Sequence, residues 1–129
     1  MGDVETLART IWGEARGEGK SGMEAVASVI LNRAKRGGWF GDTITEVCRK
    51  PKQFSCWNPD DPNCIKTQEI TVIDKQFAQA LEIAEKAVAG DLPDRTKGAT
   101  HYHAYRITPK WAASMKRLDQ IGNHIFYKE

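Results

Sequence analysis

Apolar residues recur at helical spacing along the first third of the chain. Val4, Leu7, Ala8 and Ile11 fall at i, i+3, i+4 and i+7, one face of an amphipathic helix, with Asp3 as its expected N-cap. At about 100° per residue, seven positions return to within roughly 20° of the start. Glu14 therefore lies over Leu7, and Glu18 would lie over Ile11 if the helix continued. A carboxylate on the buried stripe breaks the pattern. Gly13 and Gly17, each costing about 1 kcal/mol against alanine in a helix interior, mark fraying, a helix end or a close approach to the backbone. Ser21 and Glu24 have the spacing of a capping box, and Ala27, Ile30, Leu31 and Ala34 carry a second helix to a stop at Gly37-Gly38.

A short third helix opens at Asp42 or Thr43, with Glu46 at the box position and Ile44 and Val47 facing inward. From Arg49 to Thr71 the chain is rich in Pro, Asn, Asp and Lys and reads as one long irregular loop, a length that is often functional. The next helix is capped by Asp74, striped by Phe77, Ala78, Leu81, Ala84 and Val88, and ended by Gly90. After Pro93 the pattern shortens. "THYHAY" and "HIFYK" suit strands, and between them "TPKWAASMKRL" places Pro109 at the first position of a short helix after a Thr108 cap. Helices first and a small β element last imply an α+β fold, mainly helical, as a single domain over residues 1–129.

Composition narrows this little. A net charge of +2 is too slight to argue for nucleic acid, and no run approaches the 18 apolar residues of a membrane span. MGDVETLART lacks the basic and apolar segments of a signal peptide, so the chain as written carries no export address, although a trimmed chain would look the same. The odd number of cysteines, Cys48, Cys56 and Cys64, cannot all pair internally. A Cys56–Cys64 bridge and three free thiols both stay open.

For metal chemistry, His101, His103 and His124 with the cysteines have no standard ligand spacing, lacking both HExxH and CxxC, and no metal or cofactor is expected. His101 and His103 share a strand face, which suits ordinary strand positions better than a cleft. There is no GxSxG, and GEGKSG has the wrong spacing for a phosphate loop. Carboxylate chemistry is left. A glutamate half embedded in apolar surroundings at a helix end has its charged form disfavoured, so its pKa rises and it keeps a proton to give. Protonation of a glycosidic oxygen needs such a group, and sugars would also use aromatic platforms such as Trp57, Tyr102 and Trp111. At least one of those three should prove to be core.

Four separated segments carry a resemblance: "LARTIWGEARGEGKSGMEAVASVILNRAK", "QFSCW", "ATHYHAYRITPKW" and "IGNHIFYK". In order, and from Leu7 to Lys128, they resemble the catalytic domain of the cell-wall hydrolase family typified by the spore cortex-lytic enzymes and also found in phage endolysins. The resemblance implies a lysozyme-like fold related to goose-type lysozymes and lytic transglycosylases. It implies cleavage of the peptidoglycan glycan strand between N-acetylmuramic acid and N-acetylglucosamine. Glu14 matches the family's catalytic glutamate, and Glu18 resembles a second, supporting acid. Gln53, Phe54 and Ser55 match the segment bordering the cleft, with Trp57 beside it; Tyr102, His103 and Trp111 match the motif on its opposite side. The implied reaction is a single-glutamate lytic transglycosylation. A hydrolytic muramidase would need a second acid, for which Glu18, Asp42, Asp60 and Asp61 are candidates. A non-catalytic wall-binding module and a metal-dependent amidase are the remaining alternatives. The expected partner is the glycan strand, with a monomeric enzyme, no membrane insertion, and cytoplasmic residence before release to the wall in the manner of a phage enzyme.

Overall fold

In the computed structural model, which describes residues 1–129, the first apolar stripe becomes the centre of the molecule. Leu7, Ala8 and Ile11 on α1 (Asp3–Ala15) lose all contact with water. Around them pack α2 (Gly19–Arg36), α3 (Ile44–Arg49), α4 (Cys64–Glu69) and α5 (Lys75–Ala89), contributing Met23, Val26, Ile30, Val47, Phe77 and Ile83 to one continuous core. Full burial of each large side chain stabilises the fold by about 1.5–3 kcal/mol.

Three strands follow: β1 (His101–Ala104), β2 (Lys116–Ile121) and β3 (His124–Lys128). They form an antiparallel sheet in the order β1-β3-β2, with Tyr102 opposite Phe126 and His103 opposite Ile125. A second, smaller core of Ala25, Val29, Ala99 and Phe126 fastens the sheet to α2. Arg33 of α2 adds a polar tie. Its guanidinium lies about 5 Å from the rings of Phe40 and Phe54, and its Nε donates to the Thr100 carbonyl at 2.7 Å. No helix is long and apolar enough to cross a membrane.

Local signals that depend on one or two neighbours hold. Thr43 caps α3 by accepting from the Glu46 N–H, while Glu46 reaches back to the Asp42 N–H. Asp74 caps α5 by accepting from the Phe77 N–H, and Gly90 ends it in the left-handed conformation. Other expectations are corrected. Asp3 is not the cap of α1: the helix begins one residue earlier than its stripe, Gly2 is the N-cap, and the Asp3 carboxylate receives the N–H and hydroxyl of Thr45. Ser21 does not cap α2, which already starts at Gly19. The buried stripe of α5 runs through Ala80, Ile83 and Ala87, leaving Val88 exposed. The 49–71 segment is not one irregular loop, because Ser55–Trp57 forms a 3-10 turn and Cys64–Glu69 forms α4. No helix starts at Pro109. That proline precedes a 3-10 turn at Lys110–Ser114, and the chain then enters β2. All three cysteines are buried and free, so the Cys56–Cys64 bridge does not form.

Candidate active site

Glu14 stands on the last turn of α1, before the helix tightens into a 3-10 turn at Arg16–Glu18 and the chain turns into α2. Gly13 explains what comes next to it. A Cβ there would sit 2.6 Å from Cys56 Cβ and 2.9 Å from Thr67 Oγ1, so the Ser55–Trp57 turn rests directly on the helix backbone. That seating aims the Cys56 N–H at Glu14 Oε2, a bond of 3.1 Å. Ser55 Oγ approaches the same oxygen at 3.4 Å, and the Tyr102 hydroxyl reaches Oε1 at 3.4 Å. Only the Cys56 bond has full hydrogen-bond length. The other two are longer, weaker contacts.

Burial raises the Glu14 pKa above its usual 4.5, opposed by the Cys56 backbone and side chain and then by Ser55 and Tyr102. No carboxylate figures among the groups that shift it. Burial likewise keeps the Tyr102 hydroxyl well above its ordinary range and so protonated. The neighbouring thiols are inert at neutral pH, with Cys48 raised to about 12 by burial and Cys56 raised further still. None of the five cavities in the structure is lined by Glu14. The half-buried carboxyl lies between the 55–57 turn and Tyr102 of β1.

Glu18 is placed differently. Its Oε1 accepts the Asn123 N–H at 2.6 Å and its Oε2 accepts from Asn123 Nδ2 at 3.0 Å, and these bonds hold its pKa low. Gly122, at φ +58, leaves room for this clamp, since a Cβ there would meet Glu18 Oε1 at 2.6 Å. The clamp ties the β2–β3 turn to the end of the helix that carries Glu14. His124, the next residue, lies with its ring 4.9 Å from that of Tyr102.

The remaining candidates separate into two groups. Ser55 and Tyr102 touch Glu14. His103 and Trp111 do not, because successive residues of a strand point to opposite faces. Tyr102 faces the helices with His124 and Phe126, whereas His103 stacks on Tyr127 and packs edge-on against Trp111 on the outer face. His101 also lies against Trp111. Gln53 is a brace, donating to the Val47 carbonyl at 2.8 Å. Trp57 is the aromatic that proves to be core, 9% exposed with its indole N–H bonded to Thr10 Oγ1. Asp42 accepts the Gly38 N–H and Asp61 the Asn63 N–H. The sequence reading missed the Cys56 N–H and Asn123. The first has no sequence signature, and the second was signalled only by a Gly-Asn turn in the last motif.

The model for the family described as cell wall hydrolase matches residues 17–127. The chain is 32% identical to a spore cortex-lytic enzyme of Bacillus cereus over 98% of its own length, and 34% identical to one of Halalkalibacterium halodurans over 96%. It spans only 44% and 34% of those relatives' lengths. Its fold is similar to the catalytic domain of the germination-specific lytic transglycosylase SleB from Bacillus anthracis, with a TM-score of 0.72 and 30% identity, covering 98% of this chain and 93% of that one. The catalytic domain of the Bacillus cereus SleB protein matches equally well, at 0.72 over 98% of this chain and 89% of that one.

Proposed function

The chain belongs to the cell wall hydrolase family, and from that premise we propose that it cleaves peptidoglycan glycan strands as a lytic transglycosylase with Glu14 as sole acid and base. One observation carries the reading: a single carboxyl, desolvated and gripped by a fixed backbone N–H, with no second carboxylate acting on it. Oε2 accepts the Cys56 N–H at full length and Oε1 is only loosely approached by Tyr102, so in this reading Oε1 carries the proton. Glu14 gives that proton to the glycosidic oxygen as the bond to C1 of the muramoyl residue breaks. Its carboxylate, now stabilised by the Cys56 N–H, then takes the proton of the C6 hydroxyl while that oxygen closes on C1. The products are a free N-acetylglucosamine hydroxyl and a 1,6-anhydromuramoyl end, and no water is consumed.

Mass spectrometry of muropeptides from digested sacculi tests this directly. Anhydro ends are expected. Products carrying an added water would instead establish a hydrolytic muramidase, for which Asp60, with no hydrogen-bond or ion-pair partner, would be the acid to examine.

Glu18 belongs to the same reading as a positioning residue, since both of its oxygens are engaged by Asn123 and it has no proton to give. Glu18→Ala should lower kcat about tenfold, the scale of losing bonds worth about 1.4 kcal/mol to an exposed carboxylate. Freeing the sheet also weakens the Tyr102 bond; that bond lowers the Glu14 pKa, so its loss raises it. The alkaline limb of the pH–rate profile should therefore move upward. Asn123→Ala should reproduce both effects without adding to them; an unshifted profile would reduce Glu18 to a fold-stabilising contact.

A further inference from the structure

Beside the 55–57 turn lies a second feature that the reaction above does not use. A cavity of about 560 Å³ is lined by Arg49, Lys50, Lys52, Trp57 and Asp60. A neighbouring one of about 350 Å³, which reaches Trp39, shares Arg49 and Lys50 as a common wall. Three cations thus face two carboxylates, Asp60 in the first cavity and Glu46 in the second, where Glu46 already accepts the Asp42 N–H. None of the three forms an ion pair, the ion pairs of the protein being Arg9–Glu5, Arg36–Glu129 and Lys97–Asp119.

A run of surface lysines is usually just a solvated face, but two observations separate this one. The Arg49 guanidinium lies 4.1 Å from the Trp57 ring centre and the Lys50 ammonium 3.7 Å from that of Trp39, so each long side chain rests on an indole. Lys52 holds φ +67, a left-handed conformation that residues with a Cβ seldom adopt. Pro51 and Pro59 stiffen the rim. These restraints lower the ordering cost of binding an anion.

We propose that this basic groove is a subsite for the carboxylates of the peptide stem carried by the muramoyl residue next to the cleaved bond. The inference rests on the transglycosylase reading for its substrate. The placement suits it. Trp57 is two residues from Ser55, which touches Glu14, and bonds to Thr10, one helical turn before Glu14. A stem hanging from the sugar at Glu14 would reach the groove without bending back on the strand.

Two measurements test the subsite. In an NMR titration of the wild-type protein, a free stem tetrapeptide with its carboxylates intact should shift the amides of residues 49–60, an effect weakened by salt; the same peptide with amidated carboxylates should not. The variant Arg49→Gln/Lys50→Gln/Lys52→Asn, with asparagine chosen because it tolerates positive φ, should raise KM about tenfold on stem-bearing sacculi, equivalent to about 1.4 kcal/mol. On glycan stripped of its stems it should match the wild type. An equal loss on both substrates, or shifts produced by a glycerol phosphate oligomer and not by the stem peptide, would overturn the proposal. If the protein cleaves no glycan at all, the function reading fails, and the titration still decides the groove.

Discussion

Glu14→Gln is expected to abolish glycan cleavage while making the folded protein more stable at neutral pH. A positioned general acid contributes a factor of about 10²–10⁴, and in the proposed reaction one carboxyl serves both proton transfers, so the loss should reach the upper end. Glutamine keeps the shape and an oxygen for the Cys56 N–H, but it can neither give nor take the proton. The stability change follows from linkage. Burial raises the Glu14 pKa in the folded state above its usual 4.5, so the native protein holds this proton more tightly than the unfolded chain does. Stability is therefore lost as pH rises from about 4.5 through the folded-state value, and the full penalty persists above it. Removing the carboxyl removes the penalty. Thermal unfolding of the two proteins should coincide near pH 4 and separate at pH 7 and above, with the variant higher, alongside turbidity assays on sacculi. A variant within a few-fold of wild-type activity would end the case for Glu14, and equal melting temperatures at neutral pH would show that its carboxylate is not strained by burial.

The same physics explains why Glu14 was legible before any coordinates. A charge on the stripe of Leu7 and Ile11 violates the rule that fills that stripe, and such violations concentrate at functional sites. Thr43 with Glu46 and Asp74 with Gly90 were legible for a different reason: a cap is decided by residues three or four apart. The β2 strand was not legible. Its sequence, KRLDQI, has only two apolar residues, and a register shift between Arg117 and Gln120 breaks the alternation that marks a strand. Tertiary contacts decided α4 as well, whose six residues bury only Cys64 and Thr67. The late motif gathers Tyr102, His103 and Trp111, but strand alternation divides its members. Tyr102 reaches the carboxyl while His103 and Trp111 build the packing behind it. The partner that matters most to Glu14, the Cys56 N–H, is a backbone group, and its position is set by a glycine on a different element.

That dependence makes Gly13→Ala the most telling change outside the carboxyl itself. In an ordinary helix it would stabilise by about 1 kcal/mol. Here the new methyl would lie 2.6 Å and 2.8 Å from Cys56 Cβ and Sγ and 2.9 Å from Thr67 Oγ1, distances that Cβ atoms do not tolerate. Overpacking of this kind costs about 1–3 kcal/mol, which exceeds the propensity gain, so a lower melting temperature is expected. The activity loss should be larger than the stability loss. To make room, the 55–57 turn must lift from α1 and carry the Cys56 N–H away from Oε2, and a displacement of about 1 Å at a catalytic group can cost about 10²-fold in rate. The two effects separate in the double variant Gly13→Ala/Cys56→Gly. Removing the Cys56 side chain clears its Cβ and Sγ but adds backbone freedom to the turn, so activity should recover while stability does not. If Gly13→Ala alone proves more stable than the wild type and equally active, the turn does not need its seat on the helix. The backbone N–H would then not be what prepares Glu14 for the second proton transfer.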